Sequence, residues 1–268
     1  MTIRIGIAGW SVPADYRGRK PSASHLEQYA QRFDCVEINS SFYKPHRFST
    51  YQRWAKCVPP SFRFAAKLPK TITHHHRLQS CRQSIDLFCR SIAGLAEKLA
   101  VILVQLPPSL AFDPVATEPA FLQLRAGTRA RIVCEARHPS WFTPPADRFL
   151  SDIGATRAFA DPRIGGSAAP DVNEKSFSYL RLHGQPRIYY SSYATRRLRD
   201  LSVELQPAAR APRACAWCIF DNTARGAAWP NALKLKEQLA GSKAARGSSA
   251  PPGGCIIECR AARPQVAP

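Results

Sequence analysis

Short apolar runs rich in β-branched and aromatic residues recur along the first 221 residues, and each is followed by a stretch with helical periodicity. They are IRIGIA (3–8), CVEIN (35–39), FRFAAK (62–67), VILVQL (101–106), RIVCEAR (131–137), TRAFAD (156–161), SYLRLH (178–183) and CAWCIFD (215–221). Their starts lie between 22 residues (156 to 178) and 39 residues (62 to 101) apart. That interval holds a strand, a loop, a helix and a return loop, and repetition of this unit builds a parallel sheet. Eight units predict an α/β fold, a single (β/α)8 TIM-type barrel. The rival, an open doubly wound sheet, would carry G-x-G-x-x-G after its first strand, and no such motif follows Ile7.

The segments between the runs have recognisable helix limits. Ser22 or Ser24 caps a helix through Phe33, with Leu26, Tyr29, Ala30 and Phe33 on one face. Ser49 or Thr50 caps another through Cys57, stopped before Pro59. From 80 to 98, Cys81, Ile85, Phe88, Cys89, Ile92 and Leu95 recur at helical intervals. From Gly241 the composition turns to Gly, Ser, Ala, Pro and Arg, which predicts a barrel over 1–240 and a disordered tail over 241–268.

A hydrophobic content of 45% is enough for a sizeable core, and no window approaches the roughly 18 apolar residues of a spanning helix. Met1 to Gly9 lacks the apolar core of a signal peptide, so the expectation is a soluble, cytoplasmic protein with no membrane partner. The nine cysteines sit mostly inside apolar runs and read as reduced core thiols. Cys215/Cys218 and Cys255/Cys259 form CxxC and CxxxC spacings, but neither has a second pair at zinc-finger distance.

Strand alternation sends every second side chain to the inside of a barrel, so polar groups near the strand ends converge on its mouth. On that parity Glu37, Asn39, Lys67, Gln105, Glu135, Arg137, Arg181 and His183 point inward. Their neighbours Val36, Ile38, Phe64, Ile102, Val104, Ile132, Cys134, Leu180 and Leu182 face the helices. Asp161 and Asp221 close the sixth and eighth runs, and His138 lies at the loop edge after the fifth. Barrel interiors are normally packed with Val, Ile and Leu, and active sites sit at the C-terminal strand ends. These charged residues therefore either form an active site or neutralise one another as an internal salt-bridge network.

The stretches GIAGW (6–10), VEINSSFYKP (36–45), FRFAAKLPKTITH (62–74), KLAVILVQLPPS (98–109), CEARHPSW (134–141), YLRLHG (179–184) and FDNTARGAAWPNALKL (220–235) resemble, in order, the signatures of the DUF72 family of YecE-like proteins. The resemblance runs over roughly residues 3–240. It implies a TIM-type barrel and lends site positions but no reaction. The chain departs from the pattern in an abbreviated segment after Trp10, in Ala8 where a hydroxyl residue is usual, in a short region around 190–213, and in Pro230, which interrupts the last helix.

Three function classes fit these residues. The first is an acid/base hydrolase, lyase or isomerase on a small anionic, phosphorylated or carboxylated, sugar-like substrate. Glu37, Glu135, His183 and Asp161 are its catalytic candidates, and Lys67, Arg137 and Arg181 hold the anion. Trp10, Asn39, Tyr43, Gln105, His138 and Asp221 complete the binding set, and Gly184 leaves room for a ligand beside the backbone. No nucleotide cofactor motif is present. For a divalent metal, His74 of the His74–His76 run, His138 and His183 are ligand types, but the interleaved cations oppose it. The second class is nucleic-acid binding or nuclease-like processing. It is suggested by 38 Lys+Arg against 19 Asp+Glu, by Phe42, Tyr43, Trp141, Tyr189, Tyr190 and Tyr193, and by Arg196–Arg197. The third is a barrel that binds a ligand without turning it over. Asn222 and Thr223 are read as caps of the last helix. Oligomeric state is open.

Overall fold

The computed structural model describes residues 2–18, 23–163, 177–206 and 214–247. Strands and helices alternate as the repeats predict. The strands are β1 (Thr2–Ile7), β2 (Cys35–Ile38), β3 (Arg63–Lys67), β4 (Leu99–Gln105), β5 (Arg131–Glu135), β6 (Ala155–Arg157), β7 (Phe159–Asp161), β8 (Phe177–Leu182) and β9 (Cys215–Phe220). Between them lie α1 (His25–Ala30), α2 (Ser40–Tyr43), α3 (Phe48–Lys56), α4 (Arg82–Ile92), α5 (Pro114–Gly127), α6 (Pro144–Asp152) and α7 (Thr195–Glu204), and α8 (Ala228–Gly247) follows β9. All strand pairs recorded among the described residues are parallel.

The parallel α/β character expected of a (β/α)8 barrel is present, but the described strands do not pair round as one closed sheet. The strands form two sheets, β1-β9-β8-β7 and β2-β3-β4-β5-β6. The sixth run divides at Ala158: its first half pairs with β5, its second with β8, and the Ala158 amide itself donates to the Cys134 carbonyl at 2.8 Å. At the other seam, β1 meets β2 through one bridge, Ala8 to Glu37, where Gly9 N–H donates to the Glu37 carbonyl at 2.8 Å. The sixth run has three residues of strand to offer each neighbour, and the β1–β2 seam has one.

Parity assigns the side chains to two apolar layers. Ala8, Cys35, Ala65, Val101, Leu103, Val133, Ala158, Phe177, Tyr179, Trp217 and Ile219 pack against one another as an inner cluster. The alternate positions, such as Val36, Ile38, Phe64, Ile102, Val104, Ile132, Leu180 and Leu182, join the larger core beneath the helices. Each buried side chain of this size contributes about 1.5–3 kcal/mol by leaving water. Cys215 and Cys218 lie three apart on β9 and so face different layers, which separates the CxxC thiols.

The helix limits are partly as predicted. Ser24 caps α1 with a full capping box: its hydroxyl accepts from the Glu27 amide, and the Glu27 carboxylate accepts from the Ser24 amide at 2.7 Å. The third helix starts before Ser49, because the Arg47 carbonyl already accepts from the amides of Thr50 and Tyr51. The 80–98 periodicity resolves into α4 and a 3-10 turn over Ala93–Lys98. Gly94 is required there, since a Cβ would meet the Phe48 carbonyl at 2.4 Å. Pro230 does not interrupt α8. It lies in the first turn, where the missing N–H has no intrahelical partner to lose. The same helix carries on to Gly247, past the expected boundary at 241, and 248–268 lie outside the described residues. Among the described residues no helix is long and apolar enough to cross a membrane.

Candidate active site

Directly above the inner apolar cluster, at the C-terminal ends of the strands, the inward positions change from apolar to charged. Arg181 on β8 is the centre of this polar layer and is fully buried. Its Nε and Nη2 donate to the two oxygens of Glu37 on β2 at 3.0 and 2.6 Å. Its Nη1 donates to Glu135 Oε2 on β5 at 2.5 Å and to Gln105 Oε1 on β4 at 3.3 Å. Nη2 also reaches Asp221 Oδ2 at 2.9 Å. One planar guanidinium thus ties together strand ends of both sheets, which five donors in a fixed fork allow and a lysine would not.

Two further groups complete the layer. Tyr179, two residues before Arg181 and therefore on the same face, donates its hydroxyl to Glu37 Oε2 at 2.9 Å. His183, two residues after, places Nδ1 3.1 Å from Asp221 Oδ2 and Nε2 3.2 Å from Glu135 Oε1. Arg137 Nη2 stands 2.9 Å from that same Nε2 and is ion-paired with Glu135 Oε1. Because Arg137 only donates, its bond to Nε2 goes with the tautomer that carries its proton on Nδ1, facing Asp221. Protonation of Nε2 would exchange Arg137 for Glu135 as the partner.

Burial alone would raise the carboxyl pKa values, but the neighbouring cations win. Burial opposes ionisation of Glu135, yet Arg181, His183 and Arg137 hold its carboxyl well below the usual range. Asp221 is likewise lowered against its burial by Arg181, His183 and Lys67. Arg181 is raised well above its usual value: burial acts against it and Glu135, Glu37 and Asp221 outweigh that. Tyr179 is pushed up by burial and by Glu37. Glu37 has both oxygens engaged, one by Arg181 and the other by Arg181 and Tyr179.

Lys67 stands apart. It is 5% exposed at the end of β3, and Nζ donates to Asn39 Oδ1 at 3.1 Å. Nζ lies 4.2 Å from the centre of the Phe42 ring, and no carboxylate oxygen lies within 4.0 Å of it among the described residues. Burial and the Arg181 charge bring its pKa down to about 8, against the opposing pull of Glu37, Asp221 and Glu135. Its carbonyl accepts from Ser41 Oγ at 2.6 Å, which anchors the strand end. His74 sits close by in a π-turn (Thr71–His75), edge-on to Phe42 at 5.1 Å, and is lowered by burial and by Lys67.

Other candidates fall elsewhere. Asp161 pairs in register with Leu182, so it faces the helix layer. There it binds Arg197 of α7 at 2.8 Å, the Gln185 amide and the Tyr193 hydroxyl, and it does not join Glu37 and Glu135. His138 stays at the loop edge, where its Nδ1 accepts from the Ser140 amide at 3.2 Å. Trp10 packs edge-on against Trp54 at 4.8 Å, and Tyr43 is 67% exposed. His74, His138 and His183 do not converge, and among the described residues no group of three or more His, Cys, Asp or Glu is arranged to hold a metal. Gly184 (φ +93°) leaves no room for a ligand: the place of a Cβ is taken by the Ser191 carbonyl at 2.6 Å. Asn222 does not cap α8, which begins at Ala228. Its amide donates to the Ser191 carbonyl and to Asn231 Oδ1, both at 2.9 Å. Thr223 likewise lies outside the helix, and its carbonyl accepts from the Gly226 amide.

Of the aromatic candidates, Trp141 and Tyr193 are buried packing residues. Tyr189 and Tyr190 are about two-fifths exposed in the loop after β8. Tyr189 adopts a left-handed backbone (φ 69°), donates its amide to the His183 carbonyl at 2.6 Å and meets the His183 ring edge-on, so this loop borders the polar layer. Tyr179 and the Ser41 anchor are the components that sequence reasoning left out. Tyr179 shares the parity of Arg181 and was visible on that ground, whereas nothing local marks Ser41.

The family described as "Protein of unknown function DUF72" matches residues 4–253. The UPF0759 protein YunF of Bacillus subtilis is 30% identical over 200 residues, 68% of this chain and 70% of YunF. The UPF0759 protein YecE of Escherichia coli K12 is 30% identical over 173 residues, which covers 63% of this chain and 62% of YecE. In fold, the chain is similar to a DUF72 family protein from Thermotoga maritima, with TM-score 0.72, 24% identity and coverage of 90% of this chain and all of that one. It is also similar to one from Enterococcus faecalis, with TM-score 0.71, 24% identity and coverage of 89% and 97%. With the match running through nearly every strand and through all the residues that form the ionic layer, the chain belongs to the DUF72 family.

Proposed function

We propose that this chain is a TIM-type barrel enzyme that binds a small anionic, phosphorylated or carboxylated substrate at the mouth and acts on it by acid/base chemistry. The observation that carries this reading is that two cations at the mouth keep unused donors. Lys67 uses one of its three N–H groups, and Arg137 Nε is buried without a partner among the described residues. Buried donors left unfilled are costly, and an anion is the ligand that fills them. His183, held between Asp221 and Glu135, is the proton-transfer group. Glu37 and Arg181 form the rigid floor that fixes it. Glu135, held ionised, serves as acceptor rather than acid.

The test has two stages. Inorganic phosphate and malonate should raise the melting temperature of the wild-type chain, and Arg137→Met should lose that rise. Malonate, the probe with C–H bonds, is then incubated with the protein in D2O, and protein-dependent loss of its C–H signal by proton NMR should disappear in His183→Gln. Absence of any anion-dependent stabilisation at millimolar concentration would sink the reading.

A second reading, single-stranded nucleic-acid binding, is favoured by cation–aromatic pairs at the rim. Arg187 lies 4.0 Å and Arg225 5.9 Å from the Tyr190 ring, and Lys70 lies 5.9 Å from Tyr43. Such pairs offer bases a stacking surface beside backbone charge. A labelled oligothymidylate should then bind at low salt and be released as salt rises, and no binding at low salt removes this alternative.

A further inference from the structure

Two lysines are buried among the described residues, and they are built differently. Lys98 directs Nζ at two backbone carbonyls, Ala55 at 2.6 Å and Val58 at 2.7 Å, beneath the helix layer. Its donors are used to hold chain segments together. Lys67 lies at the opposite kind of place, on an inner strand position at the mouth, with one side-chain amide oxygen as its hydrogen-bond partner and an aromatic ring over it. An ammonium buried there for structural reasons would be expected to take up a carboxylate, and three lie in the same polar layer. All three are bonded to Arg181 instead.

We propose that Lys67 Nζ is a nucleophile that forms an imine with the carbonyl carbon of an anionic aldehyde or ketone held at the mouth. This rests on the reading that the mouth takes a small anion, with Arg137 as the group that grips it, and it narrows the substrate to a carbonyl compound. The free amine adds its lone pair to the carbonyl carbon. An Nζ–C bond forms, and the carbonyl oxygen takes up a proton to become a hydroxyl. Loss of that hydroxyl with the remaining amine proton, as water, forms the C=N bond. Both amine protons leave in the water, and no oxidant or reductant is consumed.

The surroundings favour each requirement. A nucleophilic lysine is activated by removal from water or by a neighbouring cation, and Lys67 has both, being buried and facing Arg181. Asn39 accepts one N–H and so fixes the direction of Nζ while leaving its other positions free. The Ser41 bond to the Lys67 carbonyl holds the backbone from which the side chain starts. Near pH 8 a lysine with this lowered value carries about a hundredfold more free amine than an ordinary one.

The experiment is reductive trapping on the wild-type chain. Glyoxylate, an anionic aldehyde, is added with cyanoborohydride near pH 8, and the modified peptides are mapped by mass spectrometry. The expected result is a carboxymethyl group on Lys67 at least about tenfold in excess of Lys70, a half-buried neighbour, and of Lys98. In parallel, malonate is tested for its effect on melting temperature. Stabilisation by malonate with Lys67 modified no more than Lys70 overturns the imine proposal and leaves the anion-binding reading standing. Neither stabilisation nor trapping overturns both.

Discussion

The chain contains two ionic clusters on opposite sides of the strand layer, one at the ends of β2, β5, β8 and β9 and one between β7 and α7, and their contrast explains where the chemistry lies. The inner one joins Glu37, Glu135 and Asp221 to Arg181 with essentially no solvent exposure. The outer one joins Asp161 and Glu204 to Arg197, whose side chain is 31% exposed. Both contain an arginine shared between carboxylates. The inner cluster is cut off from water and bounded by apolar residues below, so its charges act on one another at full strength, and the outer cluster is partly screened. A charge in the inner layer therefore sets the state of every neighbour, whereas one in the outer layer holds a helix to a strand.

The largest effect expected from this contrast is on stability. Arg181→Met leaves the buried Glu37 without a cation and takes one from Glu135 and from Asp221, and should cost about 3–5 kcal/mol in urea unfolding. A loss below about 1 kcal/mol would erase the distinction between the clusters. The acid side has a matching sign. Glu135 and Asp221 have folded values below their unfolded ones, so their stabilisation is present above the ordinary carboxyl range and is lost as pH falls through the folded values. Arg181→Met should reduce that acid-side loss, leaving a flatter stability profile below about pH 4 than the wild type shows.

A smaller effect, of the same sign but on the alkaline side, belongs to Lys67. Its folded value, about 8, lies below its unfolded one, so between these two the unfolded chain binds more protons and stability rises with pH. Compared with Lys67→Met, the wild type should gain up to about 1.4 kcal/mol per pH unit between about pH 8 and 10. Parallel profiles for the two proteins would show that Lys67 titrates as an ordinary surface lysine. The smallest effect is expected outside: Arg197→Ala should cost about 1 kcal/mol or less, with a clear dependence on salt, and should leave anion-induced stabilisation unchanged.

Much of this was legible from alternation alone. Glu37, Lys67, Gln105, Glu135, Arg181 and His183 share the inward parity of their runs, and the structure brings five of them, all but Lys67, into direct contact with one another. Lys67 joins the same layer by position, through Asn39. Asp161 shows where such reasoning stops. Ending a strand does not decide which way a residue faces; its register against Leu182 does, and register depends on how two distant runs pair. Gly184 was misjudged for a related reason, since its space is filled by the Ser191 carbonyl, a group brought there by a loop whose course no periodicity describes.

By itself, the sequence determined the alternation of strands and helices, the parallel pairing that follows from it, and the face of each strand that would carry polar groups, because these depend on local periods of two and 3.6 residues. Only the tertiary structure decided that the sixth run would split at Ala158 and serve two sheets, that one arginine would satisfy three carboxylates, and that Lys67 would be left with an amide and an aromatic ring. Those outcomes depend on distances between strand ends far apart in the chain. Charge pairing is decided by such distances, and a linear pattern does not contain them.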